Sequence, residues 1–134
     1  MIQTKRFLYN ILKGTVCNTT GCYAVKGARG VGKTTLFLQL KEYFGDKAEY
    51  INCANLPEDG SFDFGLLYRN AIDKGVKIML FDEICKVGID YYADFKWGAY
   101  KYAYETKDLC ILISFSMNIL YETMNPQSIL WELI

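Results

Sequence analysis

The run Gly27-Ala28-Arg29-Gly30-Val31-Gly32-Lys33-Thr34-Thr35 constrains this chain more than any other feature. It fits the pattern G-x-x-x-x-G-K-[ST]. Glycines at these positions let the backbone curl with its N–H groups pointing inward, the shape that cradles a pyrophosphate. Lys33 is then placed to reach the β- and γ-phosphates as a point charge. The Thr34 hydroxyl is placed to take a coordination position on Mg²⁺. Thr35 falls in the first turn of a helix whose N-terminal dipole faces the anion.

Such a loop has meaning only between a strand and a helix. Cys22 to Val25 is a short apolar run with strand character. Leu36, Leu40 and Phe44 lie on one face of a helix that Gly45 stops. The strand–loop–helix order is therefore present.

The rest of the chain repeats that alternation. Lys5 to Lys13 carries Phe7, Leu8, Ile11 and Leu12 at helical spacing and ends at Gly14. Glu49 to Cys53 is a strand candidate, followed by a loop with Pro57 and Asp59-Gly60 as breakers. Phe64 to Lys74 reads as a helix capped by Asp63, with Phe64, Leu67 and Ala71 inward. Val76 to Phe81 is nearly continuous apolar sequence, which fits a strand covered on both faces. Asp90 to Thr106 reads as a helix with Asp90 as its cap, and Leu109 to Phe115 as the last strand. A helical turn over Asn118 to Thr123 and a short helix over Ser128 to Ile134 complete the reading. Alternating helices and strands predict an α/β fold with a parallel sheet and right-handed crossovers.

Asp82-Glu83 ends the most apolar strand. Ligands of open α/β sheets bind outside the carboxyl ends of strands, where this pair and the glycine loop both fall. Asp82 is expected to hold Mg²⁺, usually through water, opposite Thr34, and Glu83 to orient or deprotonate the attacking water. Ser114, Ser116 and Asn118, at the tip of the last strand, are candidates to touch the γ-phosphate or position water. The sequence does not choose among them.

Composition narrows the partners. Fifteen basic residues balance fifteen acidic ones. No global field draws the chain to nucleic acid or an anionic membrane, and no Lys/Arg run marks a local patch. No long uncharged apolar stretch or signal peptide is visible, so a soluble cytoplasmic protein is expected. Five cysteines and no histidine make no zinc set, and reduced, structural thiols are expected. Eleven tyrosines exceed what a small monomer needs at its surface and hint at a partner face. The 90–106 helix carries two apolar stripes where a helix on a sheet needs one. Tyr92, Phe95, Ala99, Tyr102 and Ala103 form the first; Ala93, Trp97, Tyr100 and Tyr104 form the second. The second is a candidate docking face for a protein partner or another copy, together with the apolar C-terminus.

Gly27 to Leu36, Leu80-Phe81-Asp82-Glu83-Ile84 and Ile111 to Ser116 together resemble the ATPase domain of a prokaryotic AAA-type P-loop family. The likeness covers roughly Lys5 to Leu120. It implies a P-loop NTPase three-layer sandwich, ATP and Mg²⁺, and a last strand lying between the first and third. In that family the acidic motif continues Ile-Gln and the sensor strand usually ends Thr-Gly-Ser. This chain departs with Cys85 and with Ser114-Phe115-Ser116. Such domains also continue with a fifth strand, an arginine finger and a helical lid. None is visible here, and the arginines are Arg6, Arg29 and Arg69 alone. The expectation is one domain, 1–134, with a sheet of about four strands, incomplete at its C-terminus: a fragment, an excised domain or a reduced relative. The expected activity is hydrolysis of ATP to ADP and phosphate, weak in isolation. The alternatives are a nucleotide-binding switch or assembly module that hydrolyses little, or a small-molecule kinase.

Overall fold

A computed structural model of the chain describes residues 9–27, 32–116 and 131–132. The first helix, α1, is helical over 9–14 within the described residues. Strand β1 (Gly21–Gly27) follows and leads to α2 (Lys33–Phe44). Next come β2 (Ala48–Asn52), α3 (Phe64–Asp73), β3 (Ile78–Asp82) and α4 (Ile89–Ala99). Strands β4 (Cys110–Ser116) and β5 (Trp131–Glu132) complete the order. The sheet runs β2-β3-β4-β1-β5 and every pairing is parallel. The last long strand does lie between the first and third. Parallel neighbours separated by helices are what the alternating sequence requires.

Two expectations need correction here. The sheet has a fifth strand, because Trp131 and Glu132 pair with Tyr23 and Ala24 of β1. The same two residues are therefore extended, not part of a terminal helix. A two-residue strand is too short to leave a period in sequence, and the free edge of β1 supplies the pairing. The helical turn expected over 118–123, and the start of the first helix at 5–8, lie outside the described residues.

Period-two alternation divides the core between the two faces of the sheet. Ile78 and Leu80 of β3, Cys110 and Leu112 of β4 and Val25 of β1 pack with Leu12 of α1 and Leu36, Phe37 and Leu40 of α2. Met79, Phe81, Ile111, Ile113 and Ala24 pack on the other face with Phe64, Tyr68 and Ala71 of α3 and Phe95 and Ala99 of α4. All five residues of β3 are buried, as a strand covered on both faces must be.

Helix ends follow local chemistry. Asp63 caps α3, its carboxylate accepting from the Leu66 N–H at 3.0 Å. Lys41, in the last turn of α2, donates to the carbonyls of Gly45 and Ala48 at 2.9 and 2.8 Å. It thereby ties the helix end to the start of β2. The cap of α4 is Gly88 and not Asp90, which lies exposed in the first turn. There it still complements the helix dipole. Beyond Ala99 the chain widens into a π-helical segment, Tyr100–Glu105, with the Thr106 N–H bonded to the Lys101 carbonyl at 2.8 Å. The wider turn buries Tyr102 and Ala103 and carries the Tyr104 hydroxyl to the backbone of Cys22. That hydroxyl accepts from the Cys22 N–H at 3.0 Å and donates to its carbonyl at 3.1 Å.

Many of the tyrosines belong to the interior. Tyr68, Tyr91 and Tyr102 are buried. The Tyr68 hydroxyl donates to the Phe95 carbonyl at 3.0 Å, and Tyr91 donates to the Pro57 carbonyl at 2.7 Å. Burial pushes the Tyr68 phenol well above its ordinary pKa. The first apolar stripe of the 90–106 helix faces this core, while Trp97 and Tyr100 of the second are exposed. The described cysteines 17, 22, 53 and 110 are buried.

Helices α3 and α4 touch where α4 has no side chain. A Cβ on Gly98 would overlap the Tyr68 ring. That ring is held by its hydroxyl bond and by Phe81 and Tyr102, at centroid distances of 5.9 and 5.4 Å. Gly98→Ala is therefore expected to destabilise the fold by about 1–3 kcal/mol, the usual cost of overpacking, despite alanine's higher helix propensity. Urea denaturation of the two proteins measures this.

Candidate functional site

Four segments converge on one carboxylate. Asp82 ends β3 on the face that carries Ile78 and Leu80, the face covered by α2. It is 2% exposed. Ser114 lies one rung past the last β3–β4 pair, Phe81 with Ile113, and is fully buried. Its hydroxyl donates to Asp82 Oδ1 at 2.5 Å. The Ser114 Oγ in turn accepts from the Glu83 N–H at 3.0 Å. Thr34, in the first turn of α2, donates from Oγ1 to Asp82 Oδ2 at 2.7 Å. Tyr50 of β2 donates to the same Oδ2 at 2.5 Å.

A buried carboxylate needs such donors, because an unpaired one would cost several kcal/mol or take up a proton. Three hydroxyls supply such donors here. The effect on Tyr50 is strong: burial, the hydrogen bond to Asp82 and the Asp82 charge push its phenol far above the ordinary value.

The described ends of the glycine loop, Gly27 and Gly32 to Thr35, lie near this carboxylate. Gly27 ends β1 in register with Ser116. Gly32 is the N-cap of α2 at φ 84°, a left-handed conformation that explains why the last glycine of the pattern is glycine. Lys33 opens the helix and is buried, at 7% exposure. Thr34 and Thr35 follow on the exposed side of the first turn. Ala28, Arg29, Gly30 and Val31 lie outside the described residues.

Glu83 follows Asp82 in the left-handed region, at φ 56° and ψ 52°. A non-glycine residue pays roughly 1–3 kcal/mol for that conformation. The bond from its N–H to Ser114 helps hold the turn, which opens the short 3-10 segment Ile84–Lys86.

Of the three polar candidates at the tip of β4, the structure brings Ser114 to Asp82. Its hydroxyl is committed beneath the carboxylate and to the turn at Glu83. Ser116 ends the strand beside Gly27, and its side chain is outside the described part of the structure, as is Asn118. Tyr50 was missed by sequence analysis. Its position two rungs below Asp82, opposite Leu80, is set by strand register and not by a local pattern.

The donor set suits a hard divalent cation. Thr34 Oγ1 and Asp82 Oδ2 are adjacent oxygens at the boundary between an exposed helix turn and a buried strand end. Among the described residues there is no group of three or more His, Cys, Asp or Glu able to hold a metal alone. Mg²⁺ needs no such cage, since it keeps its waters and binds through one or two protein oxygens plus phosphates.

Comparison with known proteins settles the family. The AAA domain pattern matches residues 19–126. The chain belongs to the AAA domain family. No curated protein matches it. Its fold is shared by solved structures of low sequence identity. One, from a study of the structural basis for katanin self-assembly, is 14% identical with a TM-score of 0.64, covering 99% of this chain and 51% of that one. The Thermotoga maritima RuvB Holliday junction branch migration motor is 14% identical, with a TM-score of 0.58 and coverage of 99% and 45%. The replication initiator DnaA bound to AMPPCP and single-stranded DNA is 19% identical, with a TM-score of 0.54 and coverage of 96% and 46%. This AAA domain thus spans about half the length of the solved chains it matches. Its architecture is that of an AAA-family nucleotide-binding domain.

The bond pattern at Ser114 gives a direct expectation. Ser114→Ala removes a donor from a buried carboxylate and an acceptor from the Glu83 N–H. It should lower stability by about 1–3 kcal/mol, the range for hydrogen bonds involving charged groups. Chemical denaturation checks this, and Ser114→Thr, which keeps the hydroxyl, should recover part of the loss.

Proposed function

We propose that this AAA domain binds ATP with Mg²⁺ and hydrolyses it by in-line transfer of the γ-phosphoryl group to water. The observation that carries the reading is the Thr34–Asp82 hydrogen bond, which joins the start of the glycine-loop helix to the acidic strand end. Two motifs 48 residues apart in sequence are in contact through the atoms the chemistry needs.

In this reading the Gly27–Thr35 loop wraps the phosphates with backbone N–H groups, and Lys33 adds charge against the β- and γ-phosphates. Thr34 and Asp82 would hold the metal, which would supply positive charge against the transferring phosphoryl group. Glu83 orients the attacking water and takes its proton. Ser114 fixes both acidic residues, Asp82 through its side chain and Glu83 through its backbone. Ser116 remains the candidate for contact with the γ-phosphate, because it ends β4 level with the first loop glycine.

A second reading, a nucleotide-dependent switch or assembly module with little intrinsic turnover, draws on arginine content. Arg69 is exposed on α3, and Arg6 and Arg29 are the others in the sequence. An arginine finger contributes about 10³–10⁵ in rate where one acts. A partner subunit could supply it across the face that exposes Trp97 and Tyr100, and a homo-oligomer is the simplest form of that arrangement. No helix among the described residues is long and apolar enough to cross a membrane.

Calorimetry tests the binding reading. Wild type should bind Mg-ADP, and Lys33→Ala should weaken it by about tenfold or more, as expected for losing a hydrogen bond to a charged group. Equal affinity would remove Lys33 from the site.

Hydrolysis divides the two readings. The 134-residue chain should turn over well below about 10 s⁻¹, the median for enzymes. Glu83→Gln should lower whatever turnover exists by roughly 10²–10⁴-fold while preserving binding. A steady-state phosphate-release assay on both proteins measures this. Several turnovers per second without a partner, abolished by Lys33→Ala, would mean that the site is complete within the chain.

A further inference from the structure

Asp82 Oδ2 accepts two hydroxyl protons, from Thr34 at 2.7 Å and from Tyr50 at 2.5 Å. Oδ1 is directed at fully buried Ser114. A carboxylate oxygen offers about two lone pairs, so Oδ2 is saturated by this pair of donors. It is also the oxygen that faces Thr34 and the start of α2.

The two donors differ in what a cation would ask of them. Thr34 can keep its proton on Asp82 while a lone pair of the same oxygen turns toward a metal. The Tyr50 hydroxyl gives its proton to the atom that a metal-bound water must use. Tyr50 sits on β2, with its backbone paired to Leu80 and its ring packed against the core shared with α2. It reaches Asp82 from below without belonging to the loop or to the acidic motif.

We propose that Tyr50 is a positioning residue that competes with the water shell of the magnesium ion for Asp82 Oδ2, and so sets the magnesium concentration at which this domain holds its nucleotide. The inference rests on the Mg-nucleotide reading given above. Binding of the metal exchanges the phenol's hydrogen bond for one from a coordinated water.

The test is the magnesium dependence of ADP affinity, measured by calorimetry on the full chain from excess EDTA to millimolar MgCl₂. The readout is the magnesium concentration that gives half of the gain in affinity over each protein's own metal-free value. Tyr50→Phe removes the hydroxyl and keeps the ring. It should lower that concentration by about tenfold, the equivalent of one hydrogen bond to a charged group. Tyr50→Leu should move it in the same direction. Loss of stability alone would not shift a half-point referred to the same variant's metal-free affinity.

A half-point that is unchanged or higher in both variants overturns the proposal; a higher one would mean that the phenol holds Asp82 ready for the metal. Thr34→Ala separates the two levels of inference. If wild type depends on magnesium and Thr34→Ala abolishes the dependence, the site reading stands and only Tyr50 is in question. If wild type shows no magnesium dependence, the site reading and the role of Tyr50 fall together.

Discussion

The buried Asp82 carboxylate is the point on which the rest of this structure depends. It lies at the end of the strand that is covered on both faces, where an unsatisfied charge could not persist. Its three hydroxyl donors come from α2, β2 and β4, so satisfying one side chain fixes the position of three elements around β3. The sheet order is what makes this possible. With β2 and β4 flanking β3, a residue on either neighbour can reach its end, and α2 lies across the same face. A buried polar network of this kind is stabilising only when complete, and every oxygen of Asp82 is engaged.

The two faces of the sheet divide their tasks. The α1/α2 face carries Thr34, Tyr50, Asp82 and Ser114 above a layer of aliphatic residues. The α3/α4 face is an aromatic cluster in which Phe64, Phe81, Phe95 and Tyr68 meet mainly edge to face or tilted. Aromatic packing of that density favours one arrangement of α3 against α4, with Gly98 as the point of closest approach. Rigidity on one face supports precise placement on the other, since β3 contributes alternate residues to both.

The parts of this architecture that are legible in sequence are those written in local patterns. The glycine loop, the alternation of apolar strands with amphipathic helices, the Asp63 cap and the Asp82-Glu83 pair each occupy a few consecutive residues with a recognisable physical reason. The parts that are not legible depend on register or on very short elements. Tyr50 reads as an ordinary half-buried strand tyrosine until β2 is paired with β3. Tyr68 is not among the residues that helical spacing turns inward on α3, yet Gly98 makes room for its ring and Phe95 offers a carbonyl. The β5 pairing spans two residues, below the length at which any period appears. The π-helical widening at Tyr100–Glu105 breaks the 3.6-residue period on which the stripes are drawn, and it turns Tyr104 of the second stripe toward Cys22. Ser114 was among the candidates, but only its burial reveals that its hydroxyl is turned inward to Asp82.

The contact of Tyr104 with Cys22 has a bearing on how this molecule keeps to itself. An open sheet edge is a template on which another chain can add a strand. On β1 the pairing with β5 occupies Tyr23 and Ala24, and the Tyr104 hydroxyl occupies both backbone groups of the adjacent Cys22. A single side chain, delivered by the wide turn before β4, shortens the stretch that a stranger could copy. The widened helix end thus acts as a guard against unwanted sheet extension, and it does so without spending a charge or a proline on the strand itself.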